Sequence, residues 1–527
     1  MSGHVSRRGL IAGAGLVMAA GWTGALPAHA ATPWQSRLVR YGTHGRLVYE
    51  QDAEGNRVPD FSHAGYRNGE RPIPHLPVVR TIRPIEGDNT AHLQAALDEI
   101  AALPRERRGA LLLLPGHYPV AGTIRIRADG IVLRGVGDGA DPSANTIIKA
   151  TGNDPRNRDV IVVGSGAGGW KGEVPGTRTD ITTDVVQVGE RRFEVADAGT
   201  LRPGDTIVIV HPCTDAWLRA IDYGGHDTGP PWKVGEHPLI YNRRVREVSG
   251  STVTIDVPVF NHLDRALSQS HLYRWDRSGL VSEVGVERLR VDIEYAGDPE
   301  QDEEHAYNAI VLLGTEDSWV RDCTMLHFTQ AGVATQETTR ATIENCRAID
   351  PVSVVTGSRR YNFNAYTYSQ QVLFRDCYAY KARHAFVSNG HSTVSGVVFL
   401  RGTSEYALNS SEGHRRWSQG LLFDGHRDLD PHYGYTLGLY NRGRYGTSHG
   451  WSAAHSVAWN CDVSTSRLIV QKPPTAQNYA IGCRGTITGD GPFRQPEGYI
   501  EGANRPGLAI PSLYEAQLLD RRRSGGF

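Results

Sequence analysis

"SWVRDC" (318–323), "ATIENC" (341–346) and "VLFRDC" (372–377) are three short β-prone runs, each closed by a charge, a turn-forming residue and a thiol. "SVAWNC" ends in the same way at Cys461 and "YAIGC" at Cys483. "VVFLRG" and "GLLFDG" put Gly402 and Gly425 in the cysteine place. The successive spacings are 23, 31, 25, 23, 36 and 22 residues. A period in the low twenties with occasional insertions marks a solenoid, whose units bury their apolar faces only by stacking on one another. Each unit offers a β-rich run and then a small or turn residue. We therefore expect an all-β chain, a right-handed parallel β-helix (solenoid). Residues at one coil position align rather than cross-link. Cys323, Cys346, Cys377, Cys461 and Cys483 are thus expected as an inward stack of small apolar groups, although an even count of six in an exported chain invites disulfides.

Upstream, "DNTAHLQAALDEIAALP" (88–104) has apolar residues at helical spacing. "GALLLLPGHYPV" (109–120) and "TIRIRADGIVLRGVGDG" (123–139) follow it as strands of the first coil. A helix over the open end of a β-helix covers its unpaired edge and apolar interior. This run from Asp88 to Gly139 resembles the start of the pectate-lyase-like superfamily of right-handed parallel β-helix carbohydrate-active proteins. The coils from 280 to 487 resemble it more loosely. The resemblance implies the fold and a carbohydrate ligand. It does not choose a reaction, because that superfamily holds polysaccharide lyases, glycoside hydrolases, fructotransferases and epimerases.

The rhythm breaks where "DVVQVGERRFEVADAGTLRPGDTIVIV" (184–210) and "RRVREVSGSTVTIDVPV" (243–259) read as hairpin strands. The expected organisation is a targeting segment (1–30), an N-terminal extension (31–75) and a cap helix with the first coils (76–165). An inserted β-rich module (166–275), the main coils with a catalytic groove (276–487) and a tail (488–527) follow. A short helix from Ser512 to Arg521 is expected to cap the last coil.

The targeting segment is a twin-arginine pattern, Ser6-Arg7-Arg8-Gly9-Leu10-Ile11, with an apolar run to Ala20 and a small-x-small site, Ala28-His29-Ala30. It predicts a secreted or periplasmic protein. A net charge of -1 gives no global field for nucleic acid or a membrane surface, and no later stretch has eighteen continuous apolar residues. The expected partner is an extracellular anionic polysaccharide or oligosaccharide. "VIVVGSGAGGW" (160–170) resembles a nucleotide loop only superficially, because no helix pattern follows it.

Counting eleven residues back from the closing Cys or Gly gives Tyr366, His391 and His414. One further step back from Cys461 gives His449. Stacked coils would set these rings in a ladder about 4.8 Å apart. Arg360, Lys381, Arg383, Asn389, Glu412, Arg415, Arg416, Trp417 and Trp451 surround them in sequence. Arginines fork onto carboxylates, aromatic faces pack on sugar rings, and His or Tyr moves protons. Basic and aromatic residues outnumber acids here, which favours β-elimination on a uronic-acid polysaccharide. Arg416 would hold the carboxylate, with Arg360 as second choice. His414 or His391 would be the base, and Tyr366 or His449 the proton donor. The alternatives are a glycoside hydrolase or fructotransferase using Glu412 and Asp424, or a non-catalytic carbohydrate-binding β-helix. No cofactor is required by the lyase reading, Ca²⁺ on the carboxylate is compatible with it, and no HxxxH or CxxC spacing marks zinc.

Overall fold

The computed structural model describes residues 33–152, 158–166, 168–226 and 229–525. The twin-arginine segment and its cleavage site lie outside them. The main coils repeat one unit of three strands. Thr315–Arg321, Thr324–Leu326 and Ala331–Gln336 make one turn, and Thr339–Glu344, Arg347–Ile349 and Phe363–Ala365 make the next. Each strand pairs in parallel with its equivalent one turn on: Ser318 with Ala341, Thr324 with Arg347, Val333 with Phe363. Parallel neighbours need a long crossover, and here the rest of the coil supplies it, with the right-handed sense such crossovers take. The fold is a right-handed parallel β-helix.

Side chains alternate along each strand, so every coil sends half of them inward to one continuous core. Phe374, Phe399 and Phe423 stack there at 5.2 and 4.8 Å between ring centres, the step of the coil itself. The five repeat cysteines are buried in that core and all six are free thiols. One position differs from the expected alignment. Asp424 pairs with Trp459, so Gly425 stands beside Asn460, and His426 takes the thiol row. The Gly425 row is a turn at which Asp322, Asn345, Asp376, Arg401, Gly425 and Asn460 all have φ between 50° and 63°. Gly, Asn and Asp tolerate that left-handed region best. Gly402 does sit in the thiol row, level with Cys377, and a Cβ there would come within 2.8 Å of the Phe386 ring.

The helix Thr90–Ala101 buries Leu93, Ala96, Leu97 and Ile100 against the first coil. Between Asp159–Gly164 and Val281–Glu287 the chain leaves the solenoid. Here it builds a six-stranded antiparallel sheet from Thr179–Asp180 to His271–Arg274. This module packs its Trp217, Tyr241 and Phe260 onto the outer face of the coils at Leu400, Leu422 and Trp459.

The solenoid runs past 487, since Tyr499–Glu501 pairs with Tyr479–Ile481. The C-terminal helix, Leu513–Arg523, does not cap the last coil. It lies on the flank, where Ser512 Oγ and the Tyr514 N–H donate to Asp424 at 2.7 and 2.8 Å. The N-terminal extension runs lengthwise along that flank. Trp34 bridges to Leu508, the Arg37 N–H donates to Glu501, Arg46 pairs with Asp520, and the Phe61 N–H donates to Gln517. Further on, the Tyr66 N–H donates to Thr342, and Val78–Ile82 pairs with the first-coil strand Ala110–Leu113. Among the described residues no helix is long and apolar enough to cross a membrane.

Candidate active site

Four strands of successive coils carry the site: Phe363–Ala365, Phe386–Ser388, Ser411–Gly413 and Leu437–Leu439. Ala365 pairs with Ser388, Ser388 with Gly413, and Glu412 with Gly438. The residues that leave these strands in register are therefore Tyr366, Asn389, His414 and Tyr440. This row replaces the expected Tyr366–His391–His414–His449. The turns between strands vary in length, so counting across them loses register. His391 begins a short 3₁₀ turn two residues after Asn389, and His449 belongs to an excursion between Leu439 and Ala453.

At the centre is Glu412, with no exposed surface. Ser410 Oγ and Tyr440 OH donate to its Oε2 at 2.5 and 2.8 Å. Its Oε1 lies 2.7 Å from His414 Nδ1 and 3.0 Å from Arg442 Nη1. Nη1 is also 2.6 Å from that Nδ1 and donates to the His414 carbonyl at 2.8 Å. A carboxylate only accepts, so Nδ1 carries the imidazole proton and the Arg442 protons go to the carboxylate and the carbonyl. His414 Nε2 is left as an acceptor, 3.1 Å from Tyr361 OH. Burial, Arg442 and His449 hold the His414 imidazole well below its ordinary range, and therefore neutral. The Tyr361 oxygen in turn accepts from the Ser358 N–H and from Arg383 Nη1, each at 3.1 Å. One phenol thus has a base on its proton and two donors on its oxygen.

Arg415 donates to the Asn389 carbonyl and to Tyr366 OH, both at 3.2 Å. Among the described residues, neither Arg383 nor Arg415 meets a carboxylate. His449 stands 4.8 Å from His414, ring to ring, and its Nδ1 has no partner. Burial and Arg442 push it down to about 2. Together with Tyr433, Tyr435, Tyr445 and Thr447, these groups line a cavity of 480 Å³ with no Asp or Glu in its wall among the described residues. A larger cavity, of 740 Å³, lies between the insertion and the segments around Glu54 and Pro473. Of its charged groups, Lys472 and Glu54 neutralise each other at 2.8 Å and Asp264 accepts from the Ala266 N–H, so the reactive arrangement belongs to the smaller one.

His414, His449, Arg383, Asn389 and Arg415 thus line one cavity. Tyr366 touches it through Arg415, and Glu412 lies behind His414. The other expected residues go elsewhere. Arg360 is buried against Ser353, Pro299 and Glu300, where it holds a loop. Lys381 covers the Tyr380 ring and pairs with Asp350. Trp417 offers no face to a sugar, because the insertion seals it: its ring meets Trp217 at 5.8 Å and its Nε1 donates to Asn261. Trp451 is likewise wholly buried, beside Gly225. Arg416 does not share a strand face with His414. The backbone turns at Arg416 and Trp417 (φ 56° and 68°), and Arg416 donates to Thr447 beside His391. Asp424 lies beneath the C-terminal helix, on a different sheet from Glu412. Burial raises its carboxyl to about 7.

Sequence reasoning missed Tyr361, Arg442, His384 and Tyr440. Their signal was the spacing: Tyr361 and Arg442 fall within the two long intervals, 31 and 36 residues, where chain is spent outside the coil.

His384, Glu412 and His414 could in principle share a metal, their ligand atoms lying within 4.8 Å of one another. The Arg442 guanidinium already supplies the positive charge at Glu412 and His414. Ca²⁺ takes six to eight oxygen ligands, and this set offers one carboxylate and two imidazoles. The residues do not fit Ca²⁺, and no step is routed through a metal.

No protein-family model and no curated protein matches the chain. Solved structures similar to it include the tailspike protein gp49 from Pseudomonas phage LKA1, at 16% identity and TM-score 0.40 over 79% of this chain and 74% of that one. The alginate lyase from Paenibacillus sp. str. FPU-7 is 8% identical at TM-score 0.42, over 80% of this chain and 100% of that one. The catalytic domain of an α-1,3-glucanase is 12% identical at TM-score 0.35, over 82% and 71%. Likeness at this level is one of fold.

Proposed function

We propose that the chain is an exported polysaccharide lyase that cleaves a uronic-acid-containing polysaccharide by β-elimination. What carries the reading is the placing of Arg383 and Arg415, guanidinia that meet no carboxylate among the described residues, beside a Glu412–His414–Tyr361 relay in a cavity whose described wall residues include no acid. The arginines would hold the substrate carboxylate and the negative charge that develops on it. The Tyr361 oxygen takes the proton from C5 as its own proton passes to His414 Nε2. The imidazolium so formed lies against Glu412, as in other carboxylate–imidazole relays. The C4–O bond then breaks and a C4=C5 double bond forms. The proton returns through Tyr361 to the departing oxygen, which restores the resting site.

A hydrolase or fructotransferase would need two carboxyl groups flanking the bond. Glu412 is sealed behind His414, and Asp424 lies beneath a helix. A purely binding protein would have no use for a phenol held between a base and two donors. The test is a panel of pectate, alginate, glucuronan, glycosaminoglycans and neutral glucans or fructans. The expected result is ultraviolet absorbance from unsaturated ends, on uronate polymers alone. Tyr361→Phe should cut turnover by roughly 10²–10⁴-fold, the usual worth of an acid–base group. New reducing ends without absorbance, or activity confined to neutral polymers, would sink the lyase.

A further inference from the structure

The antiparallel insertion meets the coils beside the site. His237, from the insertion, meets the edge of His391 with ring centres 5.6 Å apart, and Trp232 stands 4.8 Å behind it. Trp232 Nε1 donates to the Ser448 carbonyl, next to His449. On the coil side, Arg416 Nη1 lies 3.5 Å from His391 Nε2. Arg416 is half-buried and meets no carboxylate within 4 Å among the described residues. His237 is only 5% exposed, and neither of its ring nitrogens has a hydrogen-bond partner. Glu236 Oε2 is 3.8 Å from it and leans to solvent. A buried N–H with no acceptor is costly, and native structures keep few of them without a ligand or a function.

We infer that Arg416, His391 and His237 form a second carboxylate subsite, for the uronate next to the one held by Arg383 and Arg415. The site would then select chains of consecutive uronates, and the insertion would be its specificity element. This inference rests on the lyase reading. The two subsites are contiguous: Arg415 and Arg416 are adjacent in sequence, and Arg416 Nη2 donates at 2.7 Å to Thr447, which lines the cavity. A guanidinium supplies the charge and the neutral imidazole an N–H, the pair a carboxylate takes best. Burial and Arg416 hold His237 at about 4, so it binds as a neutral donor.

The experiment uses the full chain in a Tyr361→Phe background, so that binding is measured while turnover is slow. The ligands are tetramers of galacturonate, mannuronate and glucuronate, and an oligosaccharide in which uronate alternates with an amino sugar. Arg416→Ala and His237→Phe should each weaken the best uronate tetramer by about tenfold or more, the worth of a hydrogen bond to a charged group. The alternating ligand should lose clearly less. His237→Phe keeps the ring packing against Trp232 and His391, so the loss would belong to the nitrogens. If no uronate binds the Tyr361→Phe chain, the lyase reading fails and takes the subsite with it. If uronates bind and the variants match their background, or lose both ligand types equally, the second subsite alone is wrong.

Discussion

Glu412 shows what a fully buried carboxylate requires. Ser410, Tyr440, His414 and Arg442 all converge on its two oxygens. Taking away the one full positive charge leaves an uncompensated buried anion, which costs about 3–5 kcal/mol. Arg442→Met should therefore lower the melting temperature sharply. Glu412→Gln leaves the buried Arg442 cation without its counter-ion and should cost a similar amount. Both are read in one thermal melt, and an Arg442→Met protein as stable as its parent would mean that the charge is relieved elsewhere. In turnover, His414→Gln should cost roughly 10²–10⁴-fold, because it breaks the proton path. Arg416→Ala should act chiefly on KM.

Among the elements, the C-terminal helix gives the cleanest test, because one buried acid anchors its start. Asp424 is held at about 7 by burial, against about 3.8 in an unfolded chain. Folded Asp424 therefore keeps its proton while the unfolded one loses it. Stability from this group falls as pH rises from about 4 to 7, by about 4 kcal/mol in all, and is level above 7. Asp424→Asn, whose carbonyl can still accept from Ser512 and Tyr514, should raise the melting temperature at pH 8 and change little at pH 4. It should also leave turnover intact, which a hydrolase built on Asp424 would not allow. The strands were legible in the sequence because they carry a period, and the inward thiols follow from it; the capping helix was legible from its own apolar spacing. Turns carry no period, and the alignment slipped there, at Gly425 against His426 and at His391 against Asn389. His414, Arg383 and Arg415 were legible as chemistry. Tyr361 was not, because its partners come from coils 22 and 53 residues further along the chain. Trp417 and Trp451 read as sugar platforms until the insertion, which no local pattern places, was seen to cover them.

At the scale of the molecule, imidazoles set the response to acid. Burial holds His211 and His237 at about 4 and His449 at about 2, while their unfolded counterparts take protons below about 6.5. Each should cost about 1.4 kcal/mol per pH unit below 6.5 until its folded value is reached. The melting temperature should thus fall steeply from pH 6.5 to 5, and replacing His211 by Asn should flatten that slope. Reductant should leave the melting temperature unchanged, since all six thiols are free and buried; a drop with dithiothreitol would show a disulfide. The lengthwise strap on the flank bears on how the chain folds. Most solenoids hold together only through neighbouring repeats, so they grow coil by coil and fray from their ends. Here Trp34 and Arg37 dock on Leu508 and Glu501, the second pair 464 residues apart in the chain. Every coil in between must form with its flank bare, and the strap can lock only once the last of these coils exists, in a single step that involves the length of the solenoid.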